Sequence, residues 1–137
     1  MSERHAAPAL VVGLGCQRGC PVDTLRALLD QVLETHGFGL DQVRGLASID
    51  LKREEPGLLQ LAEQLALPLT CFSSSQLTPY ALQLSHRSEI AYERTGCYGV
   101  AESAALALAE RLAQSPAKLL IRRQKYAQAT LAMACCG

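Results

Sequence analysis

Neither sign of charge prevails in this chain of 137 residues: 13 Lys and Arg face 13 Asp and Glu, for a formal net charge of zero. Both signs are spread along the sequence, so it lacks the basic stripe that nucleic acid or an anionic membrane would require of a partner. Long apolar runs are missing too. None approaches the roughly 20 residues needed to cross a bilayer, and Met1-Ser2-Glu3-Arg4-His5 leads into the first strand without an apolar signal core. A cytoplasmic protein, with neither nucleic acid nor membrane as partner, is expected. The six cysteines (16, 20, 71, 97, 135 and 136) contain no C-x-x-C pair, and the three histidines His5, His36 and His86 fall near a terminus, a helix end and a loop. That spacing excludes the common zinc sites, and with no secretion signal it speaks for reduced thiols over a disulfide framework. Neither a resident metal nor a cofactor is expected, and the adjacent Cys135-Cys136 pair reads as a frayed, exposed end and not as a redox centre.

Apolar residues make up 49% of the chain and charged ones 19%, enough for a core and too apolar for disorder. No linker or internal repeat interrupts it, so residues 1–137 read as a single domain. Residues 9–13 are a short apolar run ended by glycine and predict a buried first strand. After Pro21, the residues Val22, Leu25, Leu28, Leu29, Val32 and Leu33 recur at three- and four-residue steps, one face of a helix that Gly37 and Gly39 stop. Residues 43–49 predict a second strand, 55–65 a helix opening at Pro56, and 69–72 a third strand followed by a serine-capped helical turn. The stretch 79–96 has weak periodicity and reads as loop with a short helix. Residues 99–112 form an alanine-rich helix, and 118–123 with 127–134 predict two strands around a turn at Gln124-Lys125-Tyr126. The expected fold is α/β: three layers, with a mixed, mostly parallel sheet of about five strands ending in an antiparallel hairpin.

In such a sheet, ligands bind beyond the carboxyl ends of the parallel strands. Three loops share that edge. The first holds Gly13, Gly15, Cys16, Arg18 and Gly19, where free backbone N–H groups and a guanidinium precede a helix. The second holds Asp50, Lys52 and Glu55, and the third Ser74. Arg18 offers a planar fork and Lys52 a point charge, together suited to a polyanionic small molecule. A plainer reading stays open, with the glycines as a tight turn, Arg18 solvated, and Lys52 paired with Glu54 or Glu55 for under about 1 kcal/mol. Gly13-x-Gly15-x-x-x-Gly19 is a poor dinucleotide fingerprint, because Asp50 comes too late to hold a ribose. Cys16 is a candidate nucleophile beside a helix N-terminus, although no histidine has an evident position as its base. Gly99 and Glu102 open the alanine-rich helix at a turn where backbone can approach a ligand closely. A carboxylate there is stabilised by the helix and need not be catalytic.

Four ordered segments carry a family likeness: Gly13-Leu14-Gly15-Cys16-Gln17-Arg18-Gly19; Leu46-Ala47-Ser48-Ile49-Asp50-Leu51-Lys52 with Glu55-Pro56-Gly57-Leu58; Gly99-Val100-Ala101-Glu102-Ser103-Ala104-Ala105; and Lys125 with Thr130-Leu131-Ala132-Met133-Ala134. In this the chain resembles the CobE family, itself similar to the C-terminal domain of CbiG from cobalamin (vitamin B12) biosynthesis. The resemblance runs nearly end to end. It implies a role in building the corrin ring and adds Ser88 and Lys125 to the ligand-binding candidates. Proteins of the CbiG type open a ring lactone on a cobalt-precorrin and release acetaldehyde in the anaerobic route. This chain is expected to lack their additional N-terminal region and to belong with the aerobic route. The expected function is binding, delivery or protection of a precorrin-type tetrapyrrole, whose rim of carboxylates suits Arg18 and Lys52. The alternatives are a hydrolytic or rearrangement step on a precorrin, with Glu102 or Cys16 near the reacting carbon, and an adaptor for other enzymes of the pathway.

Overall fold

The computed structural model describes residues 8–85 and 87–136, so Met1-Ser2-Glu3-Arg4-His5 and His86 lie outside the described residues. The chain builds β1 (Leu10–Cys16), α1 (Val22–His36), β2 (Val43–Ile49), α2 (Pro56–Leu65), β3 (Leu69–Phe72), α3 (Ser74–Leu77), α4 (Glu89–Thr95), α5 (Val100–Ala113), β4 (Leu119–Tyr126) and β5 (Ala129–Cys135). Short 3-10 segments occupy Leu40–Gln42, Asp50–Lys52 and Thr78–Gln83. The five strands form one sheet in the order β3-β2-β1-β5-β4. β1, β2 and β3 are parallel, and β5 runs against both β1 and β4. This is the mixed, mostly parallel sheet the sequence predicts.

Strand alternation sorts the core into two layers. Leu10, Val12 and Leu14 of β1 pack with Leu25, Leu29, Leu58 and Leu61 of α1 and α2. Val11 packs on the other face with Ala104, Ala105 and Leu108 of α5. Residues Ala101 to Ala109 of α5 are all buried, and their small side chains let the helix sit close to the sheet. Gly37, at φ 72°, ends α1 in the left-handed conformation and returns its N–H to Leu33 and Glu34. Ser73 caps α3 as its sequence predicts, accepting from the Gln76 N–H at 3.1 Å while Gln76 accepts from the Ser73 N–H at 2.8 Å.

Three details depart from the sequence reading. β1 does not stop at Gly13; it continues through Gly15 to Cys16. A Cβ on Gly13 would fall on the carbonyl oxygen of Ala101, and one on Gly15 would lie 2.6 Å from Thr130 Oγ1. These glycines admit α5 and β5 to the strand instead of turning the chain. The hairpin turn is at 127–128, with Ala127 at φ 52°, so Gln124-Lys125-Tyr126 is strand and not turn. Between Ile121 and Gln124, β4 carries one residue more than the partner segment Leu131 to Met133. That bulge turns Arg123 and Lys125 to the α5 face. Finally, Cys135 and Cys136 are no frayed end: both are half-buried, Cys135 pairs with Leu10, and the Cys136 N–H donates to Ala9 O at 2.9 Å. Among the described residues no helix is long and apolar enough to cross a membrane.

Candidate functional site

The carboxyl ends of β1, β2 and β4 meet the start of β5 at one edge of the sheet. Beyond it, on the α5 side, lies a cleft of about 630 Å³. Its floor is a row across three strands: Gly15 pairs with Thr130, and Thr130 with Lys125. The first turn of α5 (Gly99, Val100, Ala101) closes the inner end, and α4 forms the opposite wall. The volume falls within the roughly 300–1,000 Å³ of small-molecule pockets.

Charge sets this cleft apart. Arg18 from the loop after β1, Lys52 from the turn after β2, Arg94 from α4, and Arg123 and Lys125 from β4 all line it, against one carboxylate, Glu55. Among the described residues the one ion pair within 4 Å is Arg26–Asp30 on α1, at 3.0 Å. Lys52 therefore pairs with neither Glu54 nor Glu55, and none of the five cations has an ion-pair partner among the described residues. A chain of zero net charge has gathered cations from four elements into one hollow, where their fields add. Large apolar groups stand among them. Leu51 is 65% exposed and Ile90 64%, and both line the cleft. Tyr98 also lines it, stacked on Tyr92 with centroids 4.4 Å apart and with the Arg87 guanidinium 4.3 Å from its ring centre.

The end of β1 delivers Cys16 to the same wall. Burial pushes its thiol up to about 12 from an ordinary 9.0, and the nearby Cys20 adds to the rise. Cys20 is 2% exposed and is also raised, by burial and then by the charge of Glu55. At neutral pH both are neutral thiols, the reverse of the activated cysteine that a helix N-terminus suggests from sequence. Glu55 is 9% exposed and accepts from the Gly19 N–H at 2.9 Å.

Of the residues singled out from sequence, Gly15, Cys16, Arg18, Lys52, Glu55, Ser88, Gly99 and Lys125 line this one cleft. Gly19 stands beside it, holding Glu55. Glu102 does not line it. It is 1% exposed, and its carboxylate accepts from the backbone N–H and hydroxyl of Ser85 and from the Arg123 N–H. Gly13 is buried under α5. Asp50 raises the Cys71 thiol and is absent from the cleft wall, and Ser74 packs near Gly96. His36 is exposed at the end of α1, with Nδ1 3.0 Å from Val32 O. The described residues hold no group of three or more His, Cys, Asp or Glu able to bind a metal.

Sequence reasoning missed Arg94 and Arg123. Arg94 sits in the weakly periodic stretch, where Ser88 as cap and Gly96 (φ 77°) as stop were the available signals for α4. Arg123 was hidden by the bulge, which no alternation pattern reveals.

A family profile described as cobalamin synthesis G C-terminus matches residues 10–134. The chain is 38% identical over 129 residues to protein CobE of a Sinorhizobium species, an alignment covering 94% of this chain and 81% of that one. It is 31% identical over 97 residues to the cobalt-precorrin-5A hydrolase of Priestia megaterium, covering 71% of this chain but 25% of the hydrolase. The crystal structure of CobE, a protein from the cobalamin (vitamin B12) biosynthetic pathway, matches with TM-score 0.88 at 44% identity, covering 96% of this chain and 94% of that one. The cobalamin biosynthesis protein chiG of Agrobacterium tumefaciens matches with TM-score 0.69 at 28% identity, over 91% of this chain and 96% of that one. The profile match, the sequence identity to CobE and the shared fold agree, and the chain belongs to the family formed by CobE and the C-terminal domain of CbiG, proteins of cobalamin biosynthesis.

Proposed function

We propose that the cleft binds a precorrin-type tetrapyrrole and holds, protects or delivers it within the pathway. One observation carries this reading: five cations on three sides of a single cleft, with no ion-pair partner among the described residues. A precorrin is a many-armed acid around an apolar ring. Its carboxylates match cations spread over Arg18, Lys52, Arg94, Arg123 and Lys125, and its ring matches Leu51, Ile90 and Tyr98. The cleft is open, so part of so large a ligand stays outside, where the next enzyme of the pathway can take it up.

Catalysis by the residues first considered has less support. A Cys16 thiol that holds its proton to about pH 12 is a poor nucleophile, and the Glu102 carboxylate is occupied by its own chain. The hydrolase of Priestia megaterium shares this region over only 25% of its length.

Spectrophotometric titration tests the proposal, using a purified precorrin and a porphyrin polycarboxylate, with a cationic porphyrin of equal ring size as control. The two anionic ligands saturate and the cationic one does not. Arg18→Ala or Lys52→Ala weakens each anionic complex about five- to tenfold, the worth of one partly screened ionic hydrogen bond. Equal binding of the cationic and anionic rings would remove the charge argument.

A further inference from the structure

Glu55 is an anomaly in this cleft. A carboxylate lowers the positive potential that an anionic ligand needs, and this one is 9% exposed. It occupies the N-cap of α2, yet its side chain makes no bond to its own helix. It reaches instead to a residue 36 positions away in sequence, the Gly19 N–H, at 2.9 Å. Gly19 is left-handed at φ 80° and follows Arg18 directly. A second contact joins the same two pieces of chain. A Cβ on Gly57, in the first turn of α2, would fall on the carbonyl oxygen of Cys20. The Arg18 loop is thus seated on the start of α2 at two points. Behind Glu55, its own backbone N–H donates to Lys52 O at 3.0 Å, which ties it to the turn bearing the second cation.

We propose that Glu55 is a positioning residue: it sets the Arg18 loop against the Lys52 turn so that both cations reach one anionic ligand. This rests on the reading that the cleft takes a polycarboxylate. The bond from the Gly19 N–H to a carboxylate is stronger than one between neutral groups. The carboxylate therefore weakens the cleft's field while it orders the cleft's geometry.

These two effects have opposite signs, and that makes the proposal testable. Binding of a porphyrin polycarboxylate is measured for wild type, Glu55→Gln and Glu55→Ala. If Glu55 were only a negative charge near an anion site, both variants would bind more tightly. Positioning predicts a split. Gln keeps an oxygen for the Gly19 N–H and loses the charge, so binding is unchanged or a few-fold tighter. Ala frees the loop, and binding weakens about tenfold, the worth of one well-placed charged hydrogen bond. In the Ala background a further Arg18→Ala costs almost nothing, because Arg18 is already misplaced. Tighter binding by both variants, or fully additive losses with Arg18→Ala, overturns the proposal. Hydrogen exchange at the Gly19 amide gives a readout without ligand: protected in wild type and Gln, released in Ala. An unprotected Gly19 amide in wild type overturns it even if Glu55→Ala does not fold. Failure of wild type to bind any polycarboxylate counts instead against the function proposed for the cleft.

Discussion

The Glu102 carboxylate accepts the backbone N–H of Arg123 at 2.8 Å, which fastens the first turn of α5 to the bulge of β4. The same carboxylate takes the Ser85 N–H at 2.9 Å and the Ser85 hydroxyl. One buried side chain thus joins three segments that are distant in sequence, two of them ending in cleft walls. Glu102→Ala leaves these donors without their acceptor, at roughly 1–3 kcal/mol for a buried polar group left unpaired. Urea unfolding is expected to show that loss, with Glu102→Gln milder because its amide oxygen still accepts. A Glu102→Gln protein of wild-type stability that has lost a measured turnover would instead return Glu102 to a catalytic role.

Gly13 of β1 and Gly19 of the loop that follows it predict a ranking. Gly13→Ala drives a methyl into the Ala101 carbonyl at the base of α5, where backbone meets backbone and neither yields cheaply. Overpacking of this kind costs about 1–3 kcal/mol. Gly19→Ala adds a methyl in open space, although at φ 80°, so its cost is the left-handed strain of roughly 1–2 kcal/mol. Gly13→Ala is expected to be the more damaging in chemical denaturation, and Gly19→Ala to keep its bond to Glu55. The reverse order would mean that α5 is less tightly seated on β1 than its packing indicates.

This pair also explains what the sequence could reveal. β2 and β3 were legible to the residue because each is a short, largely apolar run between polar or proline residues, Gln42 and Asp50 for β2, Pro68 and Ser73 for β3. Gly13 and Gly15 were not, since a glycine that turns the chain and a glycine that admits a neighbour look alike in one dimension. The β4–β5 turn escaped for a related reason: Ala127-Gln128 carries no Gly, Asn or Asp to mark it, while the polar run Arg122-Arg123-Gln124-Lys125 imitates a loop. Arg18 and Lys52 could be placed at the cleft because strand ends were in view, whereas Lys125 came from the family resemblance and was read as turn. What Glu102 and Glu55 bond to could not, because their partners lie 17 to 36 positions away.

The Cys16 thiol supplies a prediction in pH. Its folded value of about 12 lies above the ordinary 9.0, so the folded state keeps a proton that the unfolded chain loses. Stability from this group is complete below about pH 9 and falls as pH rises toward 12. Tyr80, also pushed to about 12 by burial and by its bond to Glu110, acts in the same direction. Cys16→Ser therefore flattens part of the alkaline loss and leaves the rest. At pH 8, iodoacetamide should modify Cys16 more slowly than a free thiol, as mass spectrometry of the alkylated peptides will show. Fast labelling at Cys16 would restore the activated-thiol reading.

Arg122 and Arg123 allow local charge to be separated from overall charge. They are adjacent on β4, but Arg123 lines the cleft and the exposed Arg122 does not. Replacing either with Ala changes the net charge of the protein equally. If the ligand responds to the whole molecule's field, the two variants weaken a porphyrin polycarboxylate to the same degree, and added salt abolishes the effect over a Debye length of about 8 Å at physiological ionic strength. If the cleft makes direct contacts, Arg123→Ala weakens binding about five- to tenfold and Arg122→Ala leaves it within twofold. The direct-contact outcome is expected, because the bulge after Ile121 turns only Arg123 inward, beside the Gly15–Thr130–Lys125 row. Removing its side chain leaves the backbone N–H that Glu102 accepts, so the fold is retained and the comparison reports binding alone.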